Sequence, residues 1–339
     1  SRRSGPTVVV DQEQGFKLPM KKLKKNPSLF VLLALFVFSP FSFGARLDFL
    51  IPAGPGGGLD STARAMGDSL LKVNPSMKIR YENRTGGGGG KAMSYFVNSK
   101  ASFQNTLLVN STPLLIRSIQ GVFKQTYEDI VPIAALITDP AVIAVNPDSK
   151  YNTWNDVVED IQRNQKKLLV GGGSVRGSLD HIALSLLLEA SGLPIRSVQY
   201  VPYDGGGKAL VGLMSSEVNL LVSGLGETIN QHRSKSIKIL GISSEERLPS
   251  IPSIPTFKED NNNVVFSNWR GVFASKTLDQ KEMETLKEIV SILKDSSHWQ
   301  IQLDRYGWTP FYLNEIEFKN FLRDQEAQMR ETLIKLKMI

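Results

Sequence analysis

The chain has 339 residues, of which 41% are apolar and 22% charged, a globular composition with room for two domains. Its formal net charge is +7, but seven of the 40 Lys/Arg and two of the 33 Asp/Glu fall before residue 45, so the remainder stands near +2. No basic stripe is left to support a nucleic-acid partner, and with no cysteine the fold uses no disulfide.

Residues 1–19 do not begin with Met and read as an upstream non-native or mis-called segment. Residues 20–44 read "MKKLKKNPSLFVLLALFVFSPFSFG". Lysines follow a Met, an apolar run spans Leu29 to Phe38, and small residues lead to a cut near Gly44. That pattern predicts a cleaved signal peptide, with a run too short to span a bilayer. The expected destination is the periplasm. The chain has no cysteine to carry a lipid anchor at the cut.

From residue 45 the order is strand, glycine-rich turn, helix, repeated. Arg46–Pro52 predicts a strand and Asp60–Val73 a helix, with Ala63, Met66, Leu70 and Leu71 on one face. Lys78–Glu82 predicts a strand leading into "NRTGGGGGK", and "TLLVNSTP" (106–113) a strand and polar turn. "DIVPIAALITDPAVIAVNP" (129–147) reads as two short strands split at Asp139-Pro140. The pattern restarts at "KKLLVGGGSVRGSLDHIALSLLLEASGLP" (166–194), whose helix would bury Leu179, Ile182, Ala183, Leu186, Leu187 and Ala190 and stop at Gly192. "VQYVPYDGGGKALVGLMSSE" (198–217) repeats the theme, "EVNLLVSGLGE" and "IKILGISS" add strands, and amphipathic helices are expected at about 279–294 and 314–336. The alternation predicts an α/β fold of two lobes, each a mainly parallel sheet flanked by helices. Lobe 1 is drawn as 45–139 plus 251–339 and lobe 2 as 140–250, with the Pro-rich segment 249–255 crossing back.

The glycine turns point to an anion. Phosphate motifs fail. Gly90-Lys91 and Gly207-Lys208 are each followed by Ala, not Ser or Thr, and neither turn fits G-x-G-x-x-G. Unpaired first-turn amides and the helix dipole still favour a carboxylate. The candidate binding residues are Pro55, Gly56, Gly57, Gly58 and Asp60 in the first loop, and Gly173, Ser174, Val175, Arg176 and Ser178 in the second. Asp60 and Ser178 also suit N-caps. Ser111 and Thr112 offer hydroxyls, Asp204 an acceptor, and Arg270 a cation. Enzyme chemistry is not supported: no G-x-S-x-G or H-E-x-x-H occurs, and the three histidines, His181, His232 and His298, lie far apart in sequence. No cofactor and no metal are expected.

"PGGGLDSTAR", "YENRTGGGGG", "GGGSVRGSLDHIA", "VPYDGGGKAL", "SSEERLPSIPSIPT" and "NWRGVF" occur in this order over 46–339. Together they resemble the Bug-type substrate-binding receptors of tripartite tricarboxylate transporters, and the last two resemble the citrate branch. The resemblance implies a two-lobed periplasmic-binding-protein fold of the type II, flytrap kind. It implies a monomer that closes on a polycarboxylate such as citrate and delivers it to a permease of one large and one small subunit. Its ligand carboxylate would be held by Pro55–Asp60 and Gly173–Ser178. The alternatives are a receptor that presents ligand to a sensor kinase, and an exported carboxylate-processing enzyme.

Overall fold

Strands buried on both faces, with helices packed against either side, set most of the architecture. The computed structural model describes residues 46–164 and 168–339. The signal peptide expected at 20–44 and the upstream segment 1–19 lie outside the described residues. Among the described residues no helix is long and apolar enough to cross a membrane.

The first half opens with strand β1 (Arg46–Ile51), which lies parallel between β2 (Lys78–Asn83) and β3 (Thr106–Ser111). Successive side chains of β1 leave on opposite faces, as strand geometry requires. Phe49 packs with Met66 and Leu70 of helix α1 (Gly58–Val73), and Leu50 packs with Met93 and Phe96 of α2 (Gly90–Asn98) on the other side. The short helix α3 (Pro113–Ile119) follows β3. It begins at the end of the expected polar turn and is not itself among the expected helices. Pro at its first position, where the missing N–H costs nothing, was the available signal.

Strand β4 (Val131–Val145) runs unbroken for 15 residues. This corrects the expected split at Asp139-Pro140. Up to Pro140 it pairs with β9 (Ser267–Ala274), and from Ala141 with β7 (Leu220–Gly224) and β8 (Lys238–Ile242). Pro140 stands where the strand changes partners. The next amide, of Ala141, donates to the Ser243 hydroxyl at 2.8 Å. A missing ladder donor is tolerable where the ladder is already interrupted.

In the second half β5 (Leu169–Gly172) lies parallel to β6 (Gln199–Pro202) and to β7. Its helices are α4 (Trp154–Arg163), α5 (Leu179–Ala190), α6 (Gly206–Met214) and α7 (Leu225–Arg233). α4 and α7 were not expected. α5 buries Ile182, Ala183, Leu184, Leu187 and Leu188, while Ala190 is exposed, because the stripe sits one residue further round than expected. Its stop is as expected. Gly192 takes a left-handed φ of +71°, and the amides of Gly192 and Leu193 reach back to the carbonyls of Glu189 and Leu188.

The chain then returns through β9 to the first half and adds α8 (Gln280–Asp295), α9 (Ser297–Tyr306), β10 (Thr309–Leu313) and α10 (Glu315–Lys335). α8 and α10 begin with reciprocal capping boxes, Asp279 with Glu282 and Asn314 with Glu317, which fix their starts. α9 was not expected. The sheet order is β2-β1-β3-β9-β4-β7-β5-β6, with β8 and β10 also on β4. Three parallel strands form the outer part of each half, and antiparallel strands join them, so the sheets are mixed. The Pro-rich segment keeps Ile251 and Ile254 in the core of the second half, and Phe257 and Val264 also pack there. The return crossing thus comes after 249–255.

Trp154 is fully buried, and its Nε1 donates to Ser191 Oγ at 2.8 Å, tying α4 to the end of α5. Trp154→Ala is expected to cost ~3–5 kcal/mol of stability, measured by urea denaturation.

Candidate ligand-binding cleft

Between the two halves lies a cavity of about 970 Å³, a size suited to a small molecule. Four glycine-bearing turns line it: 52–58 after β1, 85–89 after β2, 173–175 after β5 and 202–207 after β6. Each turn follows the carboxyl end of a parallel strand, where open α/β sheets leave a crevice.

The first loop is shaped from within. Gly56 takes a φ of +81°, which only glycine adopts readily, and its N–H donates to Asp60 Oδ2 at 2.8 Å. Arg64 Nε donates to the same oxygen at 2.8 Å, and Asn83 Nδ2 to Oδ1 at 2.9 Å. Asp60 is therefore not the N-cap. That place belongs to Gly57, and Asp60 sits in the first turn of α1, reaching back. Both its oxygens are taken, and it does not line the cavity. Burial pushes its carboxyl up, but the bonds from Arg64, Gly56 and Asn83 outweigh burial and leave it below the usual range.

The second loop is also self-organised. Gly177 has a φ of +77°, and its N–H donates to His181 Nδ1 at 2.9 Å. The Asp180 amide donates to Ser174 Oγ at 2.9 Å. Ser178 holds the N-cap position of α5 without a side-chain cap bond. A Cβ on Gly173 would stand 2.2 Å from the Gly206 nitrogen, so glycine is required there for the 202–207 turn to approach. Gln120 Nε2 of α3 donates to the Gly177 carbonyl at 2.7 Å, closing the cleft across the two halves.

Of the residues expected to bind, Pro55, Gly56, Gly57, Gly58, Ser111, Gly173, Ser174, Val175, Ser178, Asp204 and Arg270 line this one cavity. Asp60, Thr112 and Arg176 do not. Thr112 offers its amide to Asn268 Oδ1 at 3.1 Å and turns its side chain to a different cavity. Arg176 donates to the Tyr200 carbonyl and faces an outer groove with His181. Asp204 stands exposed at the rim, paired with Lys208 at 3.1 Å one helical turn on.

Arg270 is buried and its guanidinium is already engaged. Nη2 donates to Asp139 Oδ2 at 2.6 Å, and Nη1 donates to the Gly58 carbonyl at 3.1 Å and to Thr62 Oγ1 at 3.0 Å. Its Nε has no partner. Asp139 also accepts from the Gly226 amide at 3.0 Å, so one ion pair joins the first loop, the shared strand β4 and helix α7.

The profile of the "Tripartite tricarboxylate transporter family receptor" matches residues 71–338. The chain belongs to that family. It is 24% identical over 299 residues to Protein BugT of Bordetella pertussis, covering 86% of this chain and 90% of that one. Among solved structures it resembles the periplasmic binding protein BugD, with a TM-score of 0.76 at 20% identity over 86% of this chain and 98% of that one. It also resembles MatC of Rhodopseudomonas palustris with bound malate, with a TM-score of 0.72 at 20% identity over 85% and 99%. The fold is thus the two-lobed periplasmic-binding-protein fold. The family is one of solute-binding receptors, not of enzymes.

The receptor's cleft holds three carboxylates that the sequence reading missed: Asp139, Asp180 and Glu227. Burial raises Asp139 above the usual range, against the opposing pull of Arg270. Burial, then the nearby Glu227, pushes Asp180 up to about 7. Burial likewise raises Glu227, which accepts from Ser223 Oγ at 3.0 Å and stands within bonding reach of the Gly58 amide. A Cβ on Gly206 would sit 2.5 Å from both Glu227 oxygens. Some loop amides that the sequence reading reserved for a ligand thus face the chain's own carboxylates. The signal was an acid one turn beyond a glycine turn, in "GSLD" and "GLGE", where it reads equally well as ordinary helix-start charge. Among the described residues no group of three or more His, Cys, Asp or Glu is placed to hold a metal ion.

Arg270→Ala leaves Asp139 buried without its cation, and a loss of ~3–5 kcal/mol is expected in chemical denaturation. Asp60→Asn should cost about 2 kcal/mol at pH 7. Because the native Asp60 carboxyl is held low, that difference is present above about pH 4 and fades as pH falls through the native value. Melting curves of both proteins across pH 3–7 read this directly.

Proposed function

We propose that this protein is an exported receptor that captures a small organic acid in the inter-lobe cleft and delivers it to the two-subunit permease of a tripartite transporter. The observation that carries the reading is one cavity lined by glycine loops from both halves. First-turn amides of α1, α5 and α6 converge there, and such amides favour anionic groups. In this reading 20–44 directs export to the periplasm, lobe 1 is built from both ends of the mature chain, and lobe 2 lies between. The two crossings are β4 near Pro140 and the segment before β9, and rotation about them opens and closes the cleft.

Citrate is the ligand that the resemblance implies, and arginine contacts would suit its three negative charges. Arg176 faces away and Arg270 is paired with Asp139, which leaves Arg117 as the lining cation with no carboxylate partner among the described residues, while Lys208 pairs with Asp204 at the rim. Burying a trianion against one unpaired cation is costly. The lining therefore favours an acid with fewer carboxylates than citrate. Dicarboxylates are the ligands in two structural relatives from Rhodopseudomonas palustris, solved with malate and with adipate.

Calorimetric titration against citrate, tricarballylate, malate, succinate and amino-acid carboxylates tests the reading. At least one organic acid is expected to bind in the micromolar range or tighter. Val175 lines the cavity and is half exposed, so Val175→Trp should fill the cleft and cut that affinity at least tenfold with little change in melting temperature. Absence of binding across the panel, or unchanged affinity in the tryptophan variant, would sink the assignment of the cleft.

A further inference from the structure

We infer that Arg117 is the cation that recognises a carboxylate of the solute, at the corner of the cleft where α3 meets the glycine turn after β2. The inference rests on the proposed receptor function and names a residue that sets its specificity for acids.

Five consecutive glycines, 86–90, follow β2, and their packing shows what they accommodate. A Cβ on Gly88 would stand 2.8 Å from Arg117 Nε and 3.4 Å from its Cγ. A side chain at 88 would push Arg117 from its place. Glycine lets the turn and the arginine lie together on the cavity that both line.

Arg117 is half-buried there without a counter-charge. Nη1 donates to Gln120 Oε1, a neutral acceptor, at 2.7 Å. Nε is buried with no acceptor. Among the described residues nothing accepts from Nη2, and no carboxylate pairs with Arg117. Burial lowers the pKa of Arg117, with no neighbouring carboxylate to oppose it. The other two lining cations are matched, Arg270 by Asp139 and Lys208 by Asp204.

An unpaired buried donor and a sunken cation without a counter-charge each cost free energy, and both are relieved by an anion entering the cavity. The guanidinium carries its N–H groups in a fixed planar fork. With Nη1 taken by Gln120, the edge of Nε and Nη2 remains, and that edge matches the two oxygens of a carboxylate. Gln120 also steadies the fork from the second half, because its Nε2 donates to the Gly177 carbonyl at 2.7 Å. A guanidinium held at one corner loses less side-chain freedom when it binds.

The test compares acids with amides of the same shape on the full mature protein: succinate with succinamate, adipate with adipamate, and butyrate with butyramide. Calorimetry at pH 7 gives the affinity ratio within each pair. In at least one pair the acid is expected to bind tenfold or more tightly than its amide. Arg117→Met and Arg117→Gln, each checked for folding by circular dichroism, should reduce that ratio at least fivefold. Because the ratio is taken within one variant, a general loss of stability cancels, whereas an arginine that only braces the glycine turn would leave the ratio where it was. Acids that bind no more tightly than their amides, or a ratio unmoved in the folded variants, would overturn the role of Arg117 while leaving the receptor reading standing. No binding by any acid, citrate included, would overturn both.

Discussion

The ion pair between Arg270 and Asp139 is the contact on which the cleft depends. Its partners reach the first loop through the Gly58 carbonyl, α1 through Thr62, and α7 through the Gly226 amide. Asp139 sits on β4 beside Pro140, the last residue before the strand changes partners. A buried pair of this kind contributes little net stability over an apolar replacement, yet losing one partner is costly. What it supplies is position: the loop, the shared strand and the facing helix are fixed relative to one another at the base of the site.

That node also explains why the cleft is not the all-amide anion trap that glycine loops suggest. The first loop spends its Gly56 amide on Asp60, and the second spends Gly177 on His181. The Gly58 amide faces Glu227. Glycine serves two ends here: left-handed φ at Gly56 and Gly177, and clearance for charged side chains at Gly58, Gly206 and Gly224. The second use cannot be read from spacing, since the clashing atom belongs to a distant segment.

Polar links away from the central ion pair also join the two halves. Gln120 to the Gly177 carbonyl joins α3 to the second loop, and Arg233 reaches the carbonyls of Asp304 and Arg305 in α9. Lys335 of α10 also pairs with Glu189 of α5 at 3.0 Å.

The sequence by itself determined the alternation of strands and helices, the four glycine turns, the start of α8 and α10 through their capping boxes, and the family. These are local: period, cap and turn chemistry act within about one helical turn. It misread β4 as two strands, because Pro140 breaks a ladder only when its amide is needed, and that depends on partners more than a hundred residues away. It placed Ser111, Gly173 and Arg270 at the cleft, but it also placed Arg176 there, which turns outward to the Tyr200 carbonyl. Only the tertiary structure decided which charges share the cavity. Asp139, Asp180 and Glu227 are ordinary acids in sequence, and become a cluster because the crossings of β4 and β9 bring their elements to one point, where water is scarce and charge must be balanced by neighbours.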